Sequence, residues 1–252
     1  MHIKTSAEVA HMAEAGRRLA EVLSALAKSV SAGMRTEALD WQARAFIKEV
    51  GATPAFLGYP APGSDRKFPA ALCVSVNDQV VHGIPSGYIV REGDVVKLDL
   101  GLVFGGWYVD SARTVIVGKG IPVAEKLVRV TEEALQAGVR AARPGGTLGD
   151  IGAAIEEEVR RAGFSVVQKL CGHGIGRELH EEPSVLNTGK PGRGEELQPG
   201  MVLAIEPMVA AGSGAVRQLP DDTFITADGS LAAHFEDTEA ITEAGPRILT
   251  RM

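Results

Sequence analysis

KLDLGLVFGGWYVD, residues 97–110, reads as a β-hairpin from its side chains alone. Leu98, Leu100 and Leu102 alternate with Lys97, Asp99 and Gly101, and a period of two is the signature of a strand with two unlike faces. Asp99 therefore lies opposite the leucines, and the glycine pair predicts a tight turn into a returning strand that carries Asp110. A two-residue turn at Phe104-Gly105 or at Gly105-Gly106 leaves both aspartates on one face. They stand directly opposite in the first register and diagonal in the second. Two like charges that close repel unless something positive lies between them, and a divalent cation is the obvious candidate. The competing reading is a pair of solvent-facing acids, which the hairpin by itself leaves open.

Working outward, the surrounding elements fall into a repeated order. Upstream, Thr5-x-x-Glu8 forms a capping box ahead of Val9, Met12, Leu19, Leu23, Leu26 and Val30 at helical spacing. A second helix is predicted from about residue 36 to 50, stopping at Gly51. Residues 58–71 read as a loop, followed by short strands near 72–76, 94–103 and 108–117. Downstream, helices near 122–142 and 147–162 precede strands near 165–170, 201–205 and 234–241. Two helices followed by strands thus occur twice, with no linker between the halves.

Short motifs echo across that repeat. His82-Gly83-Ile84 recurs as His173-Gly174-Ile175, and Gly93-x-Val95-x-x-Leu98-Asp99 recurs as Gly200-x-Val202-x-x-Ile205-Glu206. Val109-Asp110-Ser111 recurs more loosely as Phe235-Glu236-Asp237. Each echo carries a histidine or a carboxylate, so the halves are expected to share one site. Glu206 ends an apolar run, where an unpaired buried charge is too costly to stand alone; a salt bridge or a metal would answer it. His173 stands among Gly172, Gly174 and Gly176, which permit close backbone approach. His180 leads into Glu181-Glu182-Pro183.

Four carboxylates with one imidazole suit hard or borderline divalent ions such as Mn²⁺, Fe²⁺ or Co²⁺, and differ from the thiolate-rich set of structural zinc. Four acids exceed the need of one ion, which favours two sharing oxygens and lowering the pKa of a water between them.

The bulk composition sets the remaining bounds. Among 252 residues, 32 acids and 26 bases give a formal charge of -6, with 45% hydrophobic and 23% charged residues. That is a soluble globular balance, with no electrostatic footprint for nucleic acid or an anionic membrane. No apolar run approaches the ~18 residues of a membrane span, and the opening MHIKTSAEVAHMAEAG has no signal-peptide core. Cys73 and Cys171 imply no disulfide framework. The expectation is a cytoplasmic protein with reduced thiols.

Five stretches together carry a family resemblance: CVSVNDQVVHGIP, LDLGLVFGGWYVDSARTVIVG, CGHGIGRELHEEP, PGMVLAIEPM and the following FEDT. The chain resembles a type I methionine aminopeptidase of the pita-bread fold (peptidase family M24) over nearly its full length, in the short form without an N-terminal zinc-binding extension. The resemblance implies an α+β fold of two pseudo-symmetric halves, roughly 1–118 and 119–252, in one catalytic domain. A curved antiparallel sheet would be covered by two pairs of helices.

It also implies two divalent ions held by Asp99, Asp110, His173, Glu206 and Glu236, with Glu206 the proton shuttle. His82 is expected beside the scissile amide and His180 on the substrate carbonyl. Tyr59, Phe68, Cys73 and Leu179 are expected to line a methionine pocket. The implied substrate is the N-terminus of a nascent polypeptide with a small second residue, met near the ribosome by a monomeric enzyme.

Departures from the family pattern are Leu179 in place of an aromatic residue, Asp237 in place of a histidine, no tryptophan near Asp222 or Phe224, and a longer loop APGSDRK. Two rivals share the scaffold. An Xaa-Pro peptidase would share the ligands and the GH…HExP motif, but AIEPM and VVHGIP read as methionine aminopeptidase. A non-catalytic binding protein should have lost ligands.

Overall fold

The computed structural model describes residues 2–60 and 66–252. The chain opens with α1 (Ser6–Ser29) and α2 (Thr36–Glu49), followed by β1 (Thr53–Pro54), β2 (Cys73–Val76) and β3 (Gln79–Val81). The central hairpin is β4 (Val95–Phe104) and β5 (Trp107–Ile116). Helices α3 (Pro122–Ala141) and α4 (Leu148–Arg161) come next, then β6 (Ser165–Val166), β7 (Cys171–Gly174) and β8 (Glu181–Leu186). The last stretch holds β9 (Val202–Ile205), β10 (Met208–Ala210), β11 (Val216–Gln218), β12 (Phe224–Thr226), β13 (Ala232–His234), β14 (Glu236–Thr242) and β15 (Gly245–Ile248).

Local chemistry explains the helix starts. Glu8 N–H donates to Thr5 Oγ1 while Thr5 N–H donates to Glu8 Oε2, so the predicted capping box is formed. The apolar stripe of α1, including Met12, Leu19, Leu23 and Leu26, packs with Leu98, Leu100 and Leu102, the leucine face of the hairpin. In the second half Leu127, Leu135, Ile151 and Ile155 of α3 and α4 pack with Leu203 and Ile205 of β9. Each half therefore lays a helix pair on one side of the sheet.

The large sheet runs β1-β4-β5-β14-β9-β7-β8, with β2 added at β4 and β15 at β14. Its antiparallel core β2·β4·β5 meets β14·β9·β7 along the β5–β14 seam, where Glu236 pairs with Ala112 and Asp237 with Ser111. Asp99 on β4 thus corresponds to Glu206 just past the end of β9, and Asp110 on β5 to Glu236 on β14. The His-Gly-Ile echo does not follow this correspondence. His173 lies within β7, but the strand that faces β4 in the same way is β2, and His82 comes after β3.

Two predicted strands are corrected. The strand near 165–170 shortens to Ser165–Val166, and the strand near 234–241 is two strands broken at Phe235. Across from that break Pro207, which has no N–H to donate, separates β9 from β10. On one side of the break β13 pairs with β10 in a side sheet; on the other β14 pairs with β9 in the main one. The part of the longer loop at 61–65 lies outside the described residues. Among the described residues no helix is long and apolar enough to cross a membrane, and both cysteines are free thiols.

On the face of β14 away from Glu236, Asp237 is met by Arg113, Thr250 and Arg251. The aspartate that stands where the family pattern has a histidine is thus paired with two arginines and a threonine. Glu239, two residues on, is fully buried with neither carboxyl oxygen hydrogen-bonded. Burial, reinforced by Asp237 and partly offset by Arg251, pushes its pKa up to about 9. A raised acid binds an extra proton in the folded state. Its contribution is therefore complete below the ordinary value of 4.5 and is lost as pH rises through about 9. Glu239→Gln should out-stabilise the parent by a margin that widens from pH 5 to 9, its slope approaching ~1.4 kcal/mol per pH unit. Urea melts at four pH values would show it; parallel curves would mean that Glu239 is ionised in the fold.

Candidate metal centre and substrate cavity

The hairpin register places the two aspartates first. Phe104 pairs with Trp107, so Gly105-Gly106 is the turn and Asp99 stands diagonal to Asp110, opposite Ala112. This is the second of the two predicted registers. Thr238 clamps the backbone of Asp110 by accepting from its N–H and donating to its carbonyl. Asp110 Oδ1 accepts from Ser111 N–H at 2.9 Å, while buried Asp99 Oδ1 has no partner.

Glu206 follows β9 directly and Glu236 opens β14, so the second half adds two carboxylates to the two aspartates of the first in one cavity of about 360 Å³. Burial raises the affinity of all four acids for protons, and each except Asp110 is raised further by the charges of the others. Asp110 reaches about 7; its Ser111 and Asp99 hydrogen bonds oppose the shift.

His173 joins them from β7. Gly172 lets that strand press onto β9: an added Cβ would lie 2.2 Å from the Ala204 carbonyl oxygen. The His173 ring is set by its Nδ1, which donates to the Gly174 carbonyl at 2.8 Å and leaves the Nε2 lone pair free. Nε2 lies 3.8 Å from Glu206 Oε1, and burial lowers the ring pKa to about 4. Donor atoms of Asp110, His173 and Glu236 all lie within 4.8 Å of one another.

These features fit a divalent cation. The donors are carboxylate oxygens and one imidazole nitrogen, Asp99 has an orphaned oxygen, and the buried acids repel one another across the cavity.

The cavity wall carries the remaining predicted residues. Tyr59, Phe68, Cys73, His82, Leu179 and His180 all line it. Cys73 pairs with Asp99 across β2 and β4, and burial pushes its thiol pKa well up. Leu179 is buried in the core cluster of the first half, and Phe56 meets Phe68 edge-on at 6.4 Å between ring centres. His180 Nδ1 is 2.7 Å from the Tyr59 hydroxyl, and its ring lies 4.4 Å from that of His173. His180 and His82 are open to the cavity, while the protein around them still partly desolvates each ring. That desolvation lowers both pKa values, His180 to about 3 with added repulsion from His173 and His82. His82 has a left-handed backbone (φ 60) and meets Phe224 edge-on. Strain of this kind persists only where the surroundings enforce it.

Several residues here went unanticipated. Phe56 and Ile84 extend the apolar wall, and Arg66, Asp221 and Asp222 reach the cavity where no tryptophan stands. Lys4, buried, donates to Glu181 at 2.7 Å, and Glu181 in turn accepts from the N–H of Arg177. The N-terminal arm thus braces the loop that carries Leu179 and His180. Neither Lys4 nor Glu181 gives a local signal, because the pair spans 177 positions. His234, buried, has its Nε2 3.4 Å from Glu206 Oε2. No local signal marks it, because the break at Phe235 puts His234 and Glu236 in different sheets.

A family model for metallopeptidase family M24 matches residues 10–243. A methionine aminopeptidase of Clostridium perfringens is 47% identical over 249 residues, covering 98% of each chain. Methionine aminopeptidase 1 of Bacillus subtilis is 46% identical over 99% of this chain and 98% of its own. The crystal structure of methionine aminopeptidase from Thermotoga maritima superposes with a TM-score of 0.95 at 42% identity, covering all of both chains. Prolidase from Pyrococcus furiosus matches at TM-score 0.78 and 24% identity over 65% of its length, a likeness of fold alone.

Proposed function

The chain belongs to metallopeptidase family M24, and from that premise we propose that it is a methionine aminopeptidase that removes the first residue of chains beginning with methionine. The observation that carries the proposal is the cavity's two unlike ends. Phe56, Phe68, Cys73 and Leu179 offer an apolar seat of the kind a thioether side chain fills. Asp99, Asp110, His173, Glu206 and Glu236 lie beside it as the ligands of a divalent centre that would take the free α-amine. Four acids favour two ions over one. When bound, divalent ions supply the charge that acidifies a water and stabilises the oxygen formed by its attack.

The protein's own groups handle the rest. The Glu206 carboxylate, whose proton affinity burial raises, accepts the proton of the attacking water and returns it to the departing amine. Burial also raises the Tyr59 pKa, so its hydroxyl keeps its hydrogen and donates to His180 Nδ1. That bond leaves Nε2–H of a neutral His180 to donate to the substrate carbonyl as negative charge develops there. His82, on the cavity wall, assists the leaving nitrogen. The wider reading is a monomeric cytoplasmic enzyme acting on nascent chains near the ribosome, with a small residue preferred after methionine and all 252 residues in one catalytic domain.

The test is hydrolysis of Met-Ala-Ser, Leu-Ala-Ser and Ala-Pro by metal-stripped protein reloaded with Mn²⁺, Fe²⁺ or Co²⁺. Cleavage of Met-Ala-Ser well ahead of the others is expected. Preference for Ala-Pro would move the protein to the proline peptidases.

A further inference from the structure

We propose that His234 is a positioning residue for Glu206, its Nε2–H donating to Glu206 Oε2 and turning the other oxygen toward the metal centre; this rests on the reading of Glu206 given above. His234 is 1% exposed, and neither ring nitrogen has a hydrogen-bond partner. A ring in any protonation state carries at least one N–H, and a buried N–H without an acceptor is rare and costly. The acceptor beside it is Glu206 Oε2, 3.4 Å from Nε2.

Both backbones are fixed around that gap. Thr114 Oγ1 donates to the His234 carbonyl at 2.6 Å and accepts from its N–H at 3.0 Å, and His234 pairs with Met208 across β13 and β10. On the other side Asn187 Nδ2 donates to the Glu206 carbonyl at 3.0 Å. Only the two side chains are left to close the last few tenths of an ångström.

The consequence for Glu206 is a division of labour. Oε2 faces His234, while Oε1 faces His173 at 3.8 Å. A carboxylate that must accept and return a proton gains from having one oxygen pinned, because its rotation no longer competes with the productive geometry. The pinning residue comes from β13 of the side sheet, so this strand serves the reaction without touching the substrate.

The experiment compares wild type, His234→Ala and His234→Gln, the last retaining an N–H donor of similar reach. On Met-Ala-Ser, His234→Ala is expected to lower kcat ~10-fold with KM within about twofold, and His234→Gln to recover most of the loss. A second readout needs no activity. Long-range ¹H–¹⁵N spectra of the metal-free protein, with His234 assigned by its absence in His234→Gln, should show hydrogen on Nε2 in slow exchange with water. Equal loss in Ala and Gln variants, loss of Tm alone, or a ring protonated only on Nδ1 would overturn the proposal. Wild type that fails to cleave Met-Ala-Ser while the Nε2 hydrogen is present would instead overturn the reading of the reaction and leave the positioning contact standing.

Discussion

Asp110→Asn should abolish turnover of Met-Ala-Ser, by ~10³-fold or more, and at the same time raise the melting temperature of the metal-free protein. The two effects come from one cause. Asp110 is buried on the seam between the halves, facing Asp99, and it belongs to the group of four acids that burial and mutual repulsion hold at raised proton affinity. Without a cation that group is a local liability in the fold. The asparagine keeps the oxygen that accepts from Ser111 N–H, and its amide can donate to the Asp99 carboxylate, so the change removes charge without opening a cavity. A rise of roughly 2–6 °C in the metal-free state is reasonable for a chain of this size. Added Mn²⁺ should then raise the melting temperature of wild type strongly and of the variant little, because ligand binding stabilises only the state that binds. A scanning-fluorimetry series with and without metal checks both signs. A variant that melts lower than wild type when stripped, or keeps its turnover when loaded, would remove Asp110 from the metal centre.

How much of this was legible in the sequence depended on whether a signal was local. The hairpin was, because side-chain alternation and the glycine turn act within fourteen residues; only the register stayed open, and Phe104 opposite Trp107 chose it. Glu206 and His173 were legible as anomalies, a charge ending an apolar run and an imidazole among glycines. Glu236 was weak on its own surroundings and rested on its echo of Asp110, which the β5–β14 pairing bears out. The His82–His173 echo, equally persuasive on paper, does not lie on corresponding strands, since three residues recur too easily near glycine. The bracing of the His180 loop by Lys4, the break opposite Pro207 and the seat of His234 all depend on strands or segments brought together by tertiary pairing. The three-residue strands of the side sheets have too short a run for period-two patterning to register.

His180→Ala should lower kcat by ~10²–10³ while leaving KM within a few-fold, the pattern of a donor whose bond strengthens as charge develops on the substrate oxygen. The argument runs through Tyr59. A phenol whose pKa is raised by burial is a donor at neutral pH, and at 2.7 Å from Nδ1 it fixes which nitrogen of His180 carries the hydrogen. Burial and the neighbouring His173 and His82 hold the ring neutral, so it supplies a directed N–H without a full charge that would also bind the ground state. Glu181, held by Lys4 and by the N–H of Arg177, fixes the loop behind it, so little reorganisation is left for the moment of reaction. Tyr59→Phe removes only the bond that sets the tautomer and should cost less, ~10-fold, because the ring remains in place and the correct tautomer is still populated. The order of the two variants is the discriminating result. Equal losses would make Tyr59 itself the group on the substrate, whereas a His180→Ala enzyme of undiminished kcat would leave the developing charge to the metal centre alone.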